Sequence, residues 1–159
     1  MIIAFIICAI VIVLDQVTKV CLYGMSCSLI GDFLWLESTL NTGASFGMLK
    51  NGTLFFIIFS IPMIALMVWL IISKKHNFGK FFKITLGILL GGTIGNLIDR
   101  IAFGGVRDFI YFKSINFAIF NVADIAITVA TIMLVIFLVL ELFKKKDKEK
   151  ENKNEGAEK

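Results

Sequence analysis

Apolar residues along the chain gather into four long runs, and the polar stretches between them are short. A membrane-spanning helix needs about 20 predominantly apolar residues, and the runs at about 2–22, 51–73, 84–102 and 115–143 have that character. The first is free of charge until Asp15, the second holds no charge between Lys50 and Lys74, and the fourth has only Asp124 before Glu141. Pro62 lies inside the second run and should bend that helix mid-membrane, where neighbouring helices can satisfy the carbonyl it frees. Gly87, Gly91 and Gly95 recur every fourth residue of the third run, a pattern that lets helices approach closely in lipid. The pattern predicts an α-helical membrane protein with four transmembrane helices. Two segments outside the runs, 33–40 and Val106–Phe112, are rich in aromatic and strand-forming residues. They read either as short surface strands or as loops carrying interfacial anchors, with Trp35 and Tyr111 at headgroup level.

Composition removes the other classes. Of 159 residues, 58% are hydrophobic and 18% charged, and the mean hydropathy is +0.89. A soluble domain is about 45–50% apolar and about 25% charged. So much apolar surface cannot be hidden in a globule of this size, which excludes a soluble enzyme, a disordered chain and a nucleic-acid-binding module. The net charge of +4 comes from basic blocks flanking apolar runs, where orientation signals sit. Lys74, Lys75, Lys80 and Lys83 separate the second and third runs, and Lys144, Lys145 and Lys146 follow the fourth. Both termini and the middle loop are therefore expected in the cytoplasm, with the first and third loops outside. Residues 1–143 form the membrane domain, and 144–159, mixing Lys, Glu and Asn, is expected to be a basic disordered cytoplasmic tail. The first run carries Asp15 and Lys19 and lacks a small-residue cleavage site, so it is expected to be a retained span. Cys8, Cys21 and Cys27 make no metal-binding pattern with the lone His76. A Cys21–Cys27 bridge stays open, although an odd count in such a chain favours buried small side chains.

Ionisable residues at mid-bilayer cost about 2.5–3.5 kcal/mol each on insertion scales, which makes them functional candidates. With the orientation above, Asp15, Lys19, Asn41, Asn96, Asp99, Arg100, Asp108, Asn121 and Asp124 all fall in the outer half of the membrane or just above it. Asp15 and Lys19, four apart with the acid first, fit a structural ion pair. Asp99 and Arg100 are adjacent and point to different faces, so they do not neutralise each other; Arg100 serves a site or reaches lipid headgroups. Asp124 precedes a long apolar stretch and is the hardest to explain as structural. Two aspartates at a shielded site would share one proton, because like charges in contact cannot both ionise. Such a pair hydrolyses peptides without a metal or a serine or cysteine nucleophile, and the chain carries no HExxH pattern. Spacing alone does not bring Asp108 and Asp124 together. A small transporter using Asp15, Lys19, Asp99 and Asp124 as a proton relay also fits charged spans, but it requires polar residues through both membrane halves. An assembly factor packed through the glycine stripe leaves Asp108, Asn121 and Asp124 unexplained.

Five blocks carry a resemblance. Asp15-Gln16-Val17-Thr18-Lys19, Asn41-Thr42-Gly43-Ala44-Ser45-Phe46-Gly47, Gly95-Asn96-Leu97-Ile98-Asp99-Arg100, Val106-Arg107-Asp108-Phe109 and Phe120-Asn121-Val122-Ala123-Asp124 resemble, in order, the blocks of bacterial lipoprotein signal peptidase (signal peptidase II). The resemblance covers about residues 10–143. It implies an aspartic endopeptidase of the bacterial cytoplasmic membrane that cuts prolipoproteins on the amino side of a diacylglyceryl-modified cysteine. It also implies a site at the outer face, a small extracytoplasmic β-platform, and a loop or short helix over the site. Asp108 and Asp124 correspond to the catalytic pair. Asn41, Gly43, Arg100 and Asn121 match substrate-site positions, Asn96 and Asp99 a supporting network, and Asp15 and Lys19 a pair needed for activity or stability. Expected partners are diacylglyceryl-prolipoproteins and membrane lipid, with no nucleic acid, no metal and no cofactor, and the chain is expected to act as a monomer. Arg107 replaces a more usual apolar residue, and a cation beside Asp108 would lower that aspartate's pKa.

Overall fold

The fold is that of a computed structural model describing residues 1–43, 52–73 and 79–157, with 147–157 as backbone only. Residues 44–47 of the second block, Lys50, Lys74, Lys75 and His76 lie outside these residues. Four helices are long and apolar enough to cross a membrane: α1 (Ile2–Leu22), α2 (Thr53–Ile72), α3 (Lys80–Phe103) and α4 (Val122–Ala157). Three strands, β1 (Ser26–Ile30), β2 (Leu34–Asn41) and β3 (Val106–Phe112), pair antiparallel in the order β1-β2-β3 at one end of the helices. The segments at 33–40 and Val106–Phe112 are thus strands. β1 escaped the sequence pattern because Ser26-Cys27-Ser28 has little strand character and the whole strand is an exposed edge.

The third helix is the hub. α1, α2 and α4 each pack along α3, and its glycines explain how closely. A Cβ at Gly87 would collide with the Ala4 carbonyl oxygen, and one at Gly91 would sit 2.7 Å from Val11 Cβ. At Gly95 it would lie 2.6 Å from Asp15 Oδ2. The stripe therefore lies against α1, and the neighbouring Gly92 performs the same service for α4, where a Cβ would meet Ala123 O at 2.7 Å. Away from the sheet the helices enclose an apolar cluster of Ala4, Cys8, Met67, Ile71, Phe82, Leu86 and Leu90. Ile2, Val13, Leu54, Ile58, Ile132 and Val135 remain exposed on the outer helix faces, as lipid contact requires.

Local chemistry sets the boundaries. Gly104, at φ +71°, ends α3 in a left-handed turn whose N–H reaches Arg100 O at 3.1 Å, and the chain passes directly into β3. Thr53 Oγ1 donates to Gly104 O at 2.7 Å, tying the start of α2 to that turn. α4 starts at Val122, not near Ile115: a 3-10 turn over Lys113–Ile115 ends at Asn116, φ +46°, and Phe120 bridges to Ile110 before the helix begins. α3 starts at Lys80, four residues before the apolar run suggests, with Lys80 and Lys83 in its first turn. Pro62 sits within one continuous α2. The backbone of α4 runs on past Lys144 to Ala157. Lys and Glu propagate a helix already started, and Lys144 pairs with Glu141 at 2.9 Å. Cys21 and Cys27 are exposed free thiols, and only Cys8 is buried.

Candidate active site

The segment Asn121-Val122-Ala123-Asp124 is a helix start before it is anything else. Asn121 precedes the first residue of α4, and its Oδ1 accepts the Asp124 N–H at 3.0 Å, while Asp124 Oδ2 accepts the Asn121 N–H at 3.2 Å. This reciprocal pairing is a capping box with aspartate in the usual Glu/Gln place. A third free donor, the Ala123 N–H, goes to Asp15 Oδ1 of α1 at 2.9 Å. The helix end is satisfied by the same carboxylates that charge the region.

Asp108 arrives from the other side. It lies in β3 opposite Thr39 of β2, so Asn41 is its diagonal neighbour across the pair. Asn41 Nδ2 donates to Asp108 Oδ2 at 3.0 Å, an orientation fixed because the Gly43 N–H occupies Asn41 Oδ1 at 3.0 Å. Asn121 Nδ2 donates to Asp108 Oδ1 at 2.5 Å. Asn121 thus serves both aspartates, with its side chain on Asp108 and its backbone N–H on Asp124. Both acids line one cavity of about 220 Å³, with Asn41, Gly43, Asn96 and Arg100. Burial, then the Asp124 charge, push the Asp108 carboxyl up to about 7, against the opposing pull of the Asn41 and Asn121 amides.

Beneath the cavity lies a buried polar cluster. Lys19 donates to Asp15 Oδ2 at 2.8 Å and to Asn96 Oδ1 at 3.0 Å, and sits 3.5 Å from Asp99 Oδ2. Asn96 passes its amide on to Asp124 Oδ1 at 2.8 Å. The pair expected of Asp15 and Lys19 is therefore present, yet it belongs to a larger assembly. Arg107 and Gln16 complete that assembly, and sequence reading assigned neither to it. Gln16 joins Gly95 O and Asp99 Oδ1, and Arg107 Nη2 joins Gln16 Oε1. The strand alternation was the available signal for Arg107: a residue next to an inward Asp108 must face the opposite side. It turns to Asp99, so the expected lowering of the Asp108 pKa by Arg107 does not occur; the displacement is upward.

Arg100 faces the cavity rather than the buried cluster. Its guanidinium stacks 4.8 Å from the Phe56 ring and makes no hydrogen bond or ion pair among the described residues. A second, more apolar groove of about 440 Å³ runs along Phe117, Phe120, Ile125, Thr128 and Val129 and shares Asp124 and Ile127 with the cavity. All ten candidate residues thus lie in the cavity, on its linking Asn121, or in the cluster below. The covering loop or helix implied by the resemblance is not among the described residues.

Residues 7–140 match the family model described as signal peptidase (SPase) II. The chain belongs to the signal peptidase II family. It is 39% identical to the lipoprotein signal peptidase of Clostridium tetani over 138 residues, covering 82% of this chain and 88% of that one. Against the lipoprotein signal peptidase of Caldanaerobacter subterraneus it is 43% identical over 136 residues, 82% and 92% of the respective chains. A bacterial membrane enzyme solved by the in meso method superposes with a TM-score of 0.81 at 32% identity, over 89% of this chain and 90% of that one. A second such structure gives a TM-score of 0.74 at 33% identity, over 85% and 91%. This signal peptidase II is a membrane protease, built as four apolar helices with a small antiparallel sheet.

Proposed function

We propose that Asp108 and Asp124 are the catalytic pair with which this signal peptidase II removes signal peptides from diacylglyceryl-modified prolipoproteins. The observation that carries the reading is the single Asn121 that donates to both carboxylates at the rim of one cavity. Two neighbouring carboxyls in a shielded place hold one proton between them, and a pKa near 7 at Asp108 keeps that proton at neutral pH. The ionised member takes a proton from water as its oxygen attacks the scissile carbonyl carbon, and the protonated member donates to the carbonyl oxygen. When the tetrahedral intermediate collapses, a proton returns to the departing amide nitrogen and the C–N bond breaks. Arg100, lacking an acceptor among the described residues, is free to bind substrate oxygens.

The lipidated cysteine follows the scissile bond, so its acyl chains must leave the cavity close to the pair. The groove sharing Asp124 and Ile127 supports that path. We place the sheet and the site at the outer face, with both termini in the cytoplasm, because Lys80 and Lys83 open α3 and Lys144–Lys146 close the apolar part of α4, both away from the sheet. The cytoplasmic half is closed by the apolar cluster, which speaks against a proton relay across the membrane. Asp108→Asn and Asp124→Asn should each lower cleavage of a purified diacylated prolipoprotein by roughly a thousand-fold or more, with the protein still inserted and folded. Appreciable turnover by either variant would remove the assignment.

A further inference from the structure

Arg107 is 7% exposed and holds Asp99 from both its backbone and its side chain. Its N–H reaches Asp99 Oδ2 at 2.9 Å, Nε reaches the same oxygen at 3.1 Å, and Nη2 reaches Oδ1 at 2.8 Å. The guanidinium also rests 4.3 Å from the Phe103 ring centre. Asp15 and Asp99 are balanced by Lys19 and Arg107, all of them buried. That balance decides where Lys19 points. An ammonium only donates, so its bond to Asn96 Oδ1 forces the Asn96 amide nitrogen toward Asp124. With Arg107 satisfying Asp99, Lys19 stays on Asp15 and Asn96, and Asp99 lies farther off at 3.5 Å.

We propose that Arg107 is a positioning residue for the Asp108–Asp124 pair, pinning the strand that carries Asp108 and keeping Lys19 on Asn96 and hence Asn96 on Asp124. Resting on the peptidase reading above, the inference adds a residue that touches neither aspartate. Without Arg107, Asp99 competes for Lys19, the Asn96 amide loses its fixed sense, and the cluster keeps one uncompensated negative charge. Among the described residues the charged groups near the pair are Arg100 from α3 and Lys19 from α1, with Asp15 and Asp99 behind Lys19. β2 and α2 line the cavity with the neutral Asn41, Phe56 and Ser60.

The test is the pH dependence of kcat and KM for wild type, Arg107→Met, Arg107→Lys and the double variant Asp99→Asn/Arg107→Met on a diacylated prolipoprotein peptide. Wild-type turnover tests the peptidase reading by itself; the variants relative to wild type test Arg107. For Arg107→Met the inference expects kcat down about ten-fold or more with KM within about two-fold. It also expects the alkaline limb to move up by roughly one unit, the effect of one uncompensated charge at about 10 Å. The double variant, again neutral but without the fork, should restore the limb while kcat stays below wild type. Arg107→Lys keeps the charge but not the fork, so its limb stays in place while kcat falls. An Arg107→Met profile matching wild type, or a double variant as displaced as Arg107→Met, overturns the proposal.

Discussion

Each oxygen of the two aspartates accepts from an N–H group whose own orientation is fixed elsewhere. Asn41 is held by Gly43, Asn96 by Lys19, and Asn121 by its place at the head of α4. The donors stabilise charge, yet burial and the neighbouring acid prevail at Asp108, which rises from 3.8 to about 7. An acid raised in the folded state binds a proton that the unfolded chain has already lost. Its contribution to stability is full below about pH 3.8 and is lost as pH rises through about 7. Thermal unfolding in detergent should therefore show wild type losing stability between pH 5 and 8, and Asp108→Asn losing less over that interval. A wild type no more sensitive to pH than Asp108→Asn would contradict the upward shift. Much of this chemistry was legible, because charge in an apolar span has few other reasons to exist. The side on which Arg107 faces was not, since a basic neighbour in sequence looks like a partner until the strand alternation is applied.

At the level of elements, the helix spans follow directly from apolar run length, whereas the boundaries belong to side chains the runs do not show. The apolar stretch suggests a fourth helix from about Ile115, but the capping box at Asn121 and Asp124 is what starts it. The block is therefore doubly determined, as a helix start and as the carrier of an acid. β1 left no trace in the pattern, since an exposed edge strand buries nothing that would impose alternation. The glycine stripe was legible as packing, but not which helices it meets. Gly95→Ala would place a methyl against Asp15 Oδ2 and should cost about 1–3 kcal/mol together with most of the activity. Gly91→Ala, crowding Val11 away from the site, should lower stability by a similar amount and spare kcat at low temperature. Gly79, whose added Cβ would meet nothing among the described residues, serves as the control. Differential scanning of the purified variants beside their turnover separates the two effects, and equal activities in the Gly95 and Gly91 variants would contradict the link between the stripe and the site.

For the whole molecule, orientation rests on where lysines gather, and the free thiols offer a direct check. Cys27 is exposed on β1 and Cys8 is buried among the helices. In single-cysteine variants on intact cells, a membrane-impermeant maleimide should label Cys27 and leave Cys8 unmodified. Labelling of Cys27 only after permeabilisation would place the sheet inside and reverse the topology. The arrangement of the helices has one more consequence. Among the described residues α2 and α4 each pack along α3, and both contribute walls to the cavity. Both walls rise from a common floor, because α3 lends Thr93, Asn96 and Arg100 to the same cavity. A substrate lodged there would touch three helices at once, so the tightness with which the outer two lean on the middle one would set how accurately its scissile bond meets the acids.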